Sequence, residues 1–457
     1  MRFHSEPVPE HADVPVADQG RWEELVESWS AKAIEPSQTK LEETLVYVLS
    51  ISQERDPLVQ EAQLAEILSL VRAEGHAVVG HETYLLTKPR PRTLIGKGTA
   101  RDVASRAREL GATMLVVDAE LTPSQMRNLE DEAGISVADR EGVILNVFLR
   151  HARSRHARIQ VEIARLEYLR PRIRGVGIDM DQQMGGVAGS RGPGETASEL
   201  MARQLDDRLA ELRKANAKLS RGDAQRRRNR QDCRQIALVG YTNAGKTSLM
   251  NALTGGDFSA ADQPFETLDT VSRSLSRHGG NVVLSDTVGF IRRLPDRLLA
   301  SFESTLAEAR EASLLALVVD ISDHEWREHL RITIDLLERL EAGDISRFVV
   351  FNKADRLDGE PSSEVLVEAA AGAPFLLVSS LEEGSARALK DALLSAVRSD
   401  HRTATLLVPY GSAETLELIY KRCQVLQSEA LEGGLRMNVQ GPSEVMQLFL
   451  ERHKEAV

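Results

Sequence analysis

The sequence is poor in aromatic residues, in cysteine and in long apolar runs. Its 457 residues include 10 Phe, 6 Tyr and 3 Trp, so we do not expect stacking on single-stranded nucleic acid to be its main function. The two cysteines, Cys233 and Cys423, lie far apart and suit a reduced cytoplasm better than a secreted disulfide scaffold. Because no uninterrupted apolar run reaches about 18 residues and the N-terminal residues are rich in acids and prolines, we expect neither a membrane span nor a signal peptide.

Acidic residues outnumber basic ones, but the excess is uneven along the chain. The totals are 57 Lys and Arg against 69 Asp and Glu, a net charge of −12, which taken alone argues against a nucleic-acid partner. Between Arg150 and Arg234, however, 20 Lys and Arg stand against 11 Asp and Glu, a net of +9, which leaves −21 for the rest. A basic middle segment therefore lies between acidic flanks.

Periodicity predicts an α/β multidomain protein. At about 150 residues per domain the length suits three domains. β-Branched runs alternate with amphipathic patterns in two regions, which predicts an N-terminal α/β domain and a doubly wound parallel sheet. The predicted divisions are a mobile tail at 1–40 with a short helix at 22–29, an N-terminal α/β domain at 41–149, a basic helical hairpin with a glycine-rich loop at 150–232, a doubly wound domain at 233–401 and a small C-terminal α/β domain at 402–457.

Apolar residues at coiled-coil spacing predict the hairpin. They are Ile159, Ile163 and Leu166, then Leu205, Leu209, Leu212 and Leu219, with Asn216 in the gap between the last two. We expect Pro171 to stop the first helix, and a glycine-rich loop at 184–194 to join two antiparallel helices. In the C-terminal segment we expect a strand at Leu406–Val408, a helix over Ala413–Leu426 and a second helix near the end.

A phosphate-binding motif follows the first strand of the doubly wound region. Its residues, Gly240, Tyr241, Thr242, Asn243, Ala244, Gly245, Lys246 and Thr247, match G-x-x-x-x-G-K-[ST] between a predicted strand and helix. In such a loop backbone N–H groups surround the phosphates, the lysine reaches the β- and γ-phosphates, and the hydroxyl ligates Mg²⁺. We therefore assign Lys246 a catalytic role and Thr247 a metal-ligand role.

Two further motifs follow later strands in the expected order. The first is Asp286, Thr287, Val288 and Gly289, where a carboxylate can orient Mg²⁺ and the glycine N–H can approach a γ-phosphate in a catalytic role. The second is Asn352, Lys353, Ala354 and Asp355, with Ser379, Ser380 and Leu381 expected to complete the base pocket. An ionised Asp355 accepts from both N1–H and the 2-amino group of guanine, whereas adenine offers an acceptor there. The motifs predict a domain that binds GTP or GDP with Mg²⁺ and hydrolyses GTP.

A threonine between the first two motifs is expected to provide the second Mg²⁺ ligand. The candidate segment is Phe265, Glu266, Thr267, Leu268, Asp269 and Thr270. We choose Thr267 as this catalytic ligand, and spacing alone does not exclude Thr270. Phe290 follows Gly289 where many signalling GTPases carry a water-orienting glutamine. Because a phenyl ring cannot orient water by hydrogen bonding, we expect slow intrinsic hydrolysis that a partner accelerates.

The motifs together resemble a known family. GYTNAGKT at 240–247, DTVGFI at 286–291 followed by RRLP, and RGPGET at 191–196 are similar to the HflX branch of the Obg-related, ribosome-associated GTPases, and IQVEIARLEYL at 159–169 agrees. The resemblance covers about residues 42–440. It implies a protein that binds the large ribosomal subunit and its rRNA near the catalytic centre, splits or rescues ribosomes, often under stress, and carries an N-terminal domain particular to the family.

Some positions depart from the family pattern. The switch reads FETLDTV where the family usually has FATLDPT, and ASELMARQ follows RGPGET where the family continues with Leu-Glu and Asp-Arg-Arg. The resemblance nevertheless gives the basic segment a role. A glycine-rich tip beside arginines at 150–174 and 226–230 is suited to structured RNA, with the arginines on phosphates.

Other functions stay open at this stage. A regulatory GTP-binding module would dock a protein partner through the acidic surfaces, with hydrolysis incidental. Asp355 disfavours an ATPase, although the sequence does not exclude a second ATP site in the N-terminal domain. We expect a cytoplasmic monomer that binds no DNA, and peripheral association with a membrane is left open.

Overall fold

The computed structural model describes residues 44–173, 197–228, 233–256, 265, 271–276, 282–301, 303–357, 359, 361–399 and 401–452. Contacts divide the described residues into two compact units, with the division between Val143 and Ile144. The finer predicted limits at 149, 232 and 401 stay a prediction. The predicted tail, its helix at 22–29 and the loop at 184–194 lie outside the described residues.

The first unit contains a parallel four-stranded sheet of order β2-β1-β3-β4. Its elements are β1 (Leu45–Ser52), α1 (Pro57–Glu74), β2 (Ala77–Leu85), α2 (Lys97–Glu109), β3 (Met114–Val117), α3 (Pro123–Ala133) and β4 (Ser136–Asp139). Local signals start two of the helices. Asp56 accepts the Leu58 N–H ahead of α1, and Thr122 and Gln125 form a capping box on α3.

The second unit begins with a helical hairpin. Its helices are α5 (Arg155–Ile173) and α6 (Ala197–Arg228), and α4 (Arg140–His151), which crosses the division between the units, precedes them. α5 packs on α6 in antiparallel orientation, since His156 meets Asn216 at one end and Arg170 meets Asp206 at the other. The prediction that Pro171 stops α5 is wrong by two residues, because the helix runs to Ile173 and tolerates the one N–H hydrogen bond that the proline removes.

A six-stranded sheet of order β10-β9-β8-β5-β7-β6 follows, parallel except for β6. Its elements are β5 (Arg234–Gly240), α7 (Lys246–Thr254), β6 (Val271–Ser276), β7 (Val282–Asp286), α8 (Asp296–Ser301), α9 (Glu303–Arg310), β8 (Leu314–Asp320), α10 (Trp326–Arg339), β9 (Arg347–Asn352), α11 (Ser363–Ala370), β10 (Phe375–Leu377) and α12 (Glu383–Val397). Apolar side chains of the central strands pack on α7 and α12 to form the core. The doubly wound parallel sheet predicted from the alternation is confirmed.

The C-terminal part has an antiparallel sheet of order β11-β13-β12. Its elements are β11 (His401–Val408), α13 (Ala413–Arg422), β12 (Gln424–Leu431), β13 (Gly434–Pro442) and α14 (Ser443–Arg452). The helix predicted over Ala413–Leu426 is therefore wrong at its end, because residues from Gln424 pair with β13 instead. None of the helices in the described part of the chain could span a membrane.

Candidate functional site

The predicted nucleotide motifs meet at one edge of the six-stranded sheet. β5, β7, β9 and β10 are parallel, so the loops that follow their carboxyl ends lie side by side. The phosphate loop leaves β5 at Gly240, where a Cβ would overlap the Val318 carbonyl oxygen. It enters α7 through Gly245, whose φ of 89° and contact with the Asn352 amide both require glycine. Backbone N–H groups at the start of α7 thus face a site suited to an anion.

Lys246 closes the phosphate loop into a ring. Its Nζ donates to the carbonyl oxygens of Gly240, at 3.1 Å, and Tyr241, at 2.9 Å. These bonds use two of the three ammonium protons, so the third can serve a phosphate oxygen. Burial lowers the pKa of Lys246 to about 8, while the neighbouring Asp286 carboxylate raises it and Lys353 lowers it further. Bound phosphate would supply additional negative charge and favour the ammonium form.

Thr247 and Asp286 provide two oxygen donors beside this lysine. The Thr247 hydroxyl donates to Asp286 Oδ2 at 2.8 Å, and the Asp286 side chain is buried at the end of β7. Mg²⁺ prefers such oxygens, and it binds with one or two protein ligands plus substrate phosphates rather than in a cage of side chains. The pair therefore fits Mg²⁺. Among the described residues, no group of three or more His, Cys, Asp or Glu side chains could hold a metal ion by itself.

The predicted base-binding motif is tied to the phosphate loop. The buried Asn352 amide donates to the Ala244 carbonyl at 2.9 Å, and its Oδ1 accepts the Ser380 N–H at 3.3 Å. The Ser379 hydroxyl donates to Asp355 Oδ1 at 2.6 Å and accepts the Leu381 N–H at 3.2 Å. The structure therefore brings the Asn352–Asp355 and Ser379–Leu381 segments together beside the phosphate loop.

Lys353 is held by an acid that the sequence did not reveal. Its Nζ pairs with Asp320 Oδ2 at 2.7 Å, and its own backbone has a φ of 64°. Asp320 is the last residue of β8, between β9 and β5 in the sheet. An acid that ends a buried apolar strand in a doubly wound sheet is the signal that could have identified it.

The predicted switch segment is described at a single residue. Phe265 is buried and makes an edge contact with Phe148 of α4, with ring centroids 4.4 Å apart. Glu266, Thr267, Leu268, Asp269 and Thr270 lie outside the described residues. The choice between Thr267 and Thr270 as metal ligand therefore stays a prediction.

Phe290 lies against the phosphate loop rather than in an open site. Its N–H donates to the Gly240 carbonyl at 3.1 Å, and its carbonyl accepts the Thr242 N–H at 2.7 Å. The side chain is 1% exposed. A buried phenyl ring offers no hydrogen bond to a water molecule, and the slow intrinsic hydrolysis expected from the sequence stays a prediction.

Three family models match consecutive parts of the chain. Their descriptions are "GTP-binding GTPase N-terminal" for residues 61–149, "GTP-binding GTPase Middle Region" for 151–230 and "50S ribosome-binding GTPase" for 235–353. The GTPase HflX of Gluconacetobacter diazotrophicus is 38% identical over 423 residues, which are 84% of this chain and 92% of that protein. The chain belongs to the HflX family of GTPases.

Two further proteins are similar to the chain. The GTPase HflX of Escherichia coli is 39% identical over 305 residues, 65% of this chain and 71% of that protein. A solved structure of a GTP-binding protein from Sulfolobus solfataricus with GDP is 23% identical, has a TM-score of 0.42, and covers 78% of this chain and 99% of its own. The predicted family and the predicted GTP hydrolase activity are therefore confirmed. Membership of the HflX family also agrees with the predicted α/β fold.

Proposed function

We propose that this HflX-family chain is a Mg²⁺-dependent GTPase of the cytoplasm that binds the large ribosomal subunit and its rRNA, and splits or rescues ribosomes under stress. The observation that carries the proposal is the Asn352 bridge, which joins the guanine-selecting motif to the phosphate loop. The description of the family model matched by residues 235–353 supports the ribosomal partner.

Each residue of the site would have its own role in binding the nucleotide and Mg²⁺. Lys246 and the backbone N–H groups of the phosphate loop would hold the β- and γ-phosphates, and Asp355 would accept from guanine. Thr247 and Thr267 would ligate Mg²⁺, which when bound neutralises charge on the β- and γ-phosphates. The Gly289 N–H would donate to the γ-phosphate, and Phe290 leaves water positioning to the backbone or to a partner.

The RNA contact would involve an exposed basic stripe on α6. Lys214, Lys218 and Arg221 follow one another at i, i+4 and i+7 and are exposed, so they lie on one helix face. Other arginines of the hairpin are committed to internal pairs. Arg170 pairs with Asp206, Arg208 with Glu162 and Arg213 with Glu167. The stripe is therefore better suited to RNA phosphates than these three arginines.

Reversing the charges of the stripe tests the proposed binding to the large ribosomal subunit. The triple variant K214E/K218E/R221E should bind large subunits more weakly, because each phosphate contact contributes favourably through counterion release. The slope of log affinity against log salt should fall by about 0.7–0.9 per lost contact. GTP affinity should stay unchanged, and co-sedimentation at several salt concentrations measures the effect.

A control variant tests whether the change in net charge alone explains weaker ribosome binding. R310E/R331E/R387E reverses three exposed arginines on helices of the GTP-binding region and changes the total charge equally. It should bind ribosomes nearly as well as the wild type. Equal losses in the two triple variants would contradict a role for the stripe, and no ribosome binding by the wild type would favour a regulatory module that acts on a protein partner.

A further inference from the structure

The segment after Gly289 is fastened to the phosphate loop by main-chain bonds. The parallel pairing of β5 with β7 continues beyond both strands as a bridge between Tyr241 and Phe290. The Phe290 N–H donates to Gly240, and the Phe290 carbonyl accepts from Thr242. Two loops that the sequence presents as separate nucleotide motifs are therefore joined to each other.

A side chain of the phosphate loop adds a third bond. The Tyr241 hydroxyl accepts the Arg292 N–H at 2.9 Å. The tyrosine ring is 6% exposed and stacks on His329 of α10, with centroids 3.8 Å apart and planes inclined by 10°. The Arg292 guanidinium in turn pairs with Glu325, immediately before α10, at 2.6 Å. Residues 289–292, which we name the latch, are thus held from the phosphate loop and from α10.

The latch packs against the lysine of the phosphate loop. A Cβ on Gly289 would lie 2.8 Å from Thr242 Cγ2 and 3.1 Å from Lys246 Nζ, so the glycine backbone packs directly against both residues. Lys246 itself is 6% exposed. In phosphate-loop enzymes this ammonium contacts the β- and γ-phosphates. The latch therefore lies beside the ammonium group that a γ-phosphate must reach.

We propose that Tyr241 determines the preference between GTP and GDP, because its hydroxyl holds the latch against Lys246 and the latch must open to admit a γ-phosphate between this lysine and the Gly289 N–H. The proposal rests on the guanine-nucleotide site of the proposed function. GDP has no γ-phosphate and binds with the latch closed or open. Tyr241 acts through the backbone of residues 289–292, so it is a positioning residue.

The size of the effect follows from a two-state equilibrium. A ligand that binds only the open state has its apparent affinity reduced by the fraction of molecules that are open. Loss of one hydrogen bond from the closed state shifts this equilibrium by a factor of about 2–10. The apparent affinity of a ligand that binds both states equally is unchanged by this shift.

The variant Tyr241→Phe tests the proposal. It keeps the ring and its stacking on His329 but removes the acceptor for the Arg292 N–H. We expect a non-hydrolysable GTP analogue to bind about 2- to 10-fold more tightly, with the Kd for GDP unchanged. Isothermal titration of the full-length protein with each nucleotide in the presence of Mg²⁺ gives both constants. A merely structural role would weaken both nucleotides together.

Two other variants test whether Tyr241 changes nucleotide affinity through the latch. Glu325→Gln weakens the anchor of Arg292 away from the phosphate loop and should shift the ratio of the two constants in the same direction. Tyr410→Phe removes a hydroxyl that donates to the Leu431 carbonyl at 2.9 Å in the C-terminal sheet, and it should leave both constants unchanged.

The outcomes separate this proposal from the proposed function. An unchanged ratio in Tyr241→Phe, or weaker binding of the GTP analogue, overturns the latch while the wild type still binds both nucleotides. A wild type that binds neither nucleotide overturns the guanine-nucleotide site and the latch with it. A shift in Tyr241→Phe that Glu325→Gln does not reproduce also counts against the latch, since Tyr241 would then act on the nucleotide directly.

Discussion

At the scale of residues, the site is assembled by contacts between positions far apart in the chain. The Asn352 amide and the Ala244 carbonyl are separated by 108 residues and joined by one hydrogen bond. Asp355 is oriented in the same way by Ser379, from the loop after β10. A side chain that must discriminate between bases has to be fixed in direction, and these bonds fix it.

The base specificity gives a prediction at this scale. Asp355→Asn should lower GTP affinity at least about tenfold, because a charged acceptor for two guanine donors is lost. Xanthosine triphosphate should bind more tightly than it does to the wild type, since the new amide can donate to the 2-oxo group and accept from N1–H. Competition binding with the two nucleotides measures the change.

A surface variant controls for the loss of one negative charge. Asp391→Asn neutralises an exposed carboxylate on α12 and should alter neither affinity. If Asp355→Asn kept the wild-type preference for GTP over xanthosine triphosphate, the assignment of Asp355 to the base would be wrong.

Sequence reasoning at the residue scale succeeds where a motif has regular spacing. Lys246, Thr247, Asp286 and Asn352 were predicted together and lie together. Asp320 and the Tyr241 ring contacts were missed, because a lone acid at a strand end and an aromatic ring inside a glycine-rich loop have no periodic signal. Their partners become evident only when the strands are arranged side by side.

At the scale of elements, the hairpin shows how apolar spacing determines packing. Ile159, Ile163 and Leu166 of α5 and Leu205, Leu209 and Leu212 of α6 are all buried. Ion pairs such as Arg208 with Glu162, at 3.1 Å, flank this seam. The apolar seam contributes most of the stability, because exposed or half-exposed ion pairs are worth about 1 kcal/mol or less.

The seam gives a stability prediction. Leu209 is 3% exposed, so Leu209→Ala should lower the free energy of unfolding by about 2–5 kcal/mol through lost burial and a cavity. Denaturant titration followed by circular dichroism measures this loss. GTP affinity at low denaturant should remain that of the wild type, since no phosphate-loop residue belongs to the hairpin.

A second substitution on the same helix serves as its control. Lys218→Ala exchanges an exposed residue for another good helix former and should change the free energy of unfolding by less than about 0.5 kcal/mol. Equal effects of the two substitutions would contradict a packed seam between α5 and α6.

Elements were predictable where their pattern was apolar and regular. The strand predicted at Leu406–Val408 is part of β11, whereas β6 was not predicted, because VSRSLS is a polar strand at the edge of its sheet. β12 was assigned in part to a helix, since its polar sequence follows α13 without a turn signal. Pairing with β13 decides its conformation, and that is a tertiary interaction.

At the scale of the whole molecule, the distribution of charge matters more than the total. A net charge of −12 includes a basic segment of +9 between 150 and 234. The nucleotide site needs only local positive charge, from Lys246 and Lys353, whereas an RNA contact needs an extended stripe. An acidic protein can therefore bind RNA through one element, and the low overall pI does not exclude it.

Family membership was also predictable from the sequence, because several motifs occur in a fixed order over most of the chain. The ribosomal partner follows from the resemblance and from the basic segment, and physical chemistry alone does not select the large subunit among structured RNAs. A direct experiment with ribosomes therefore tests the function of the whole molecule.

Sedimentation of ribosomes through a sucrose gradient with the full-length protein provides that experiment. The protein is added with GTP, with a non-hydrolysable GTP analogue or with GDP, and its position is compared with those of the separated subunits. The account predicts comigration with large subunits, more with GTP or the analogue than with GDP. Absence from the large-subunit fractions in every nucleotide state would contradict it.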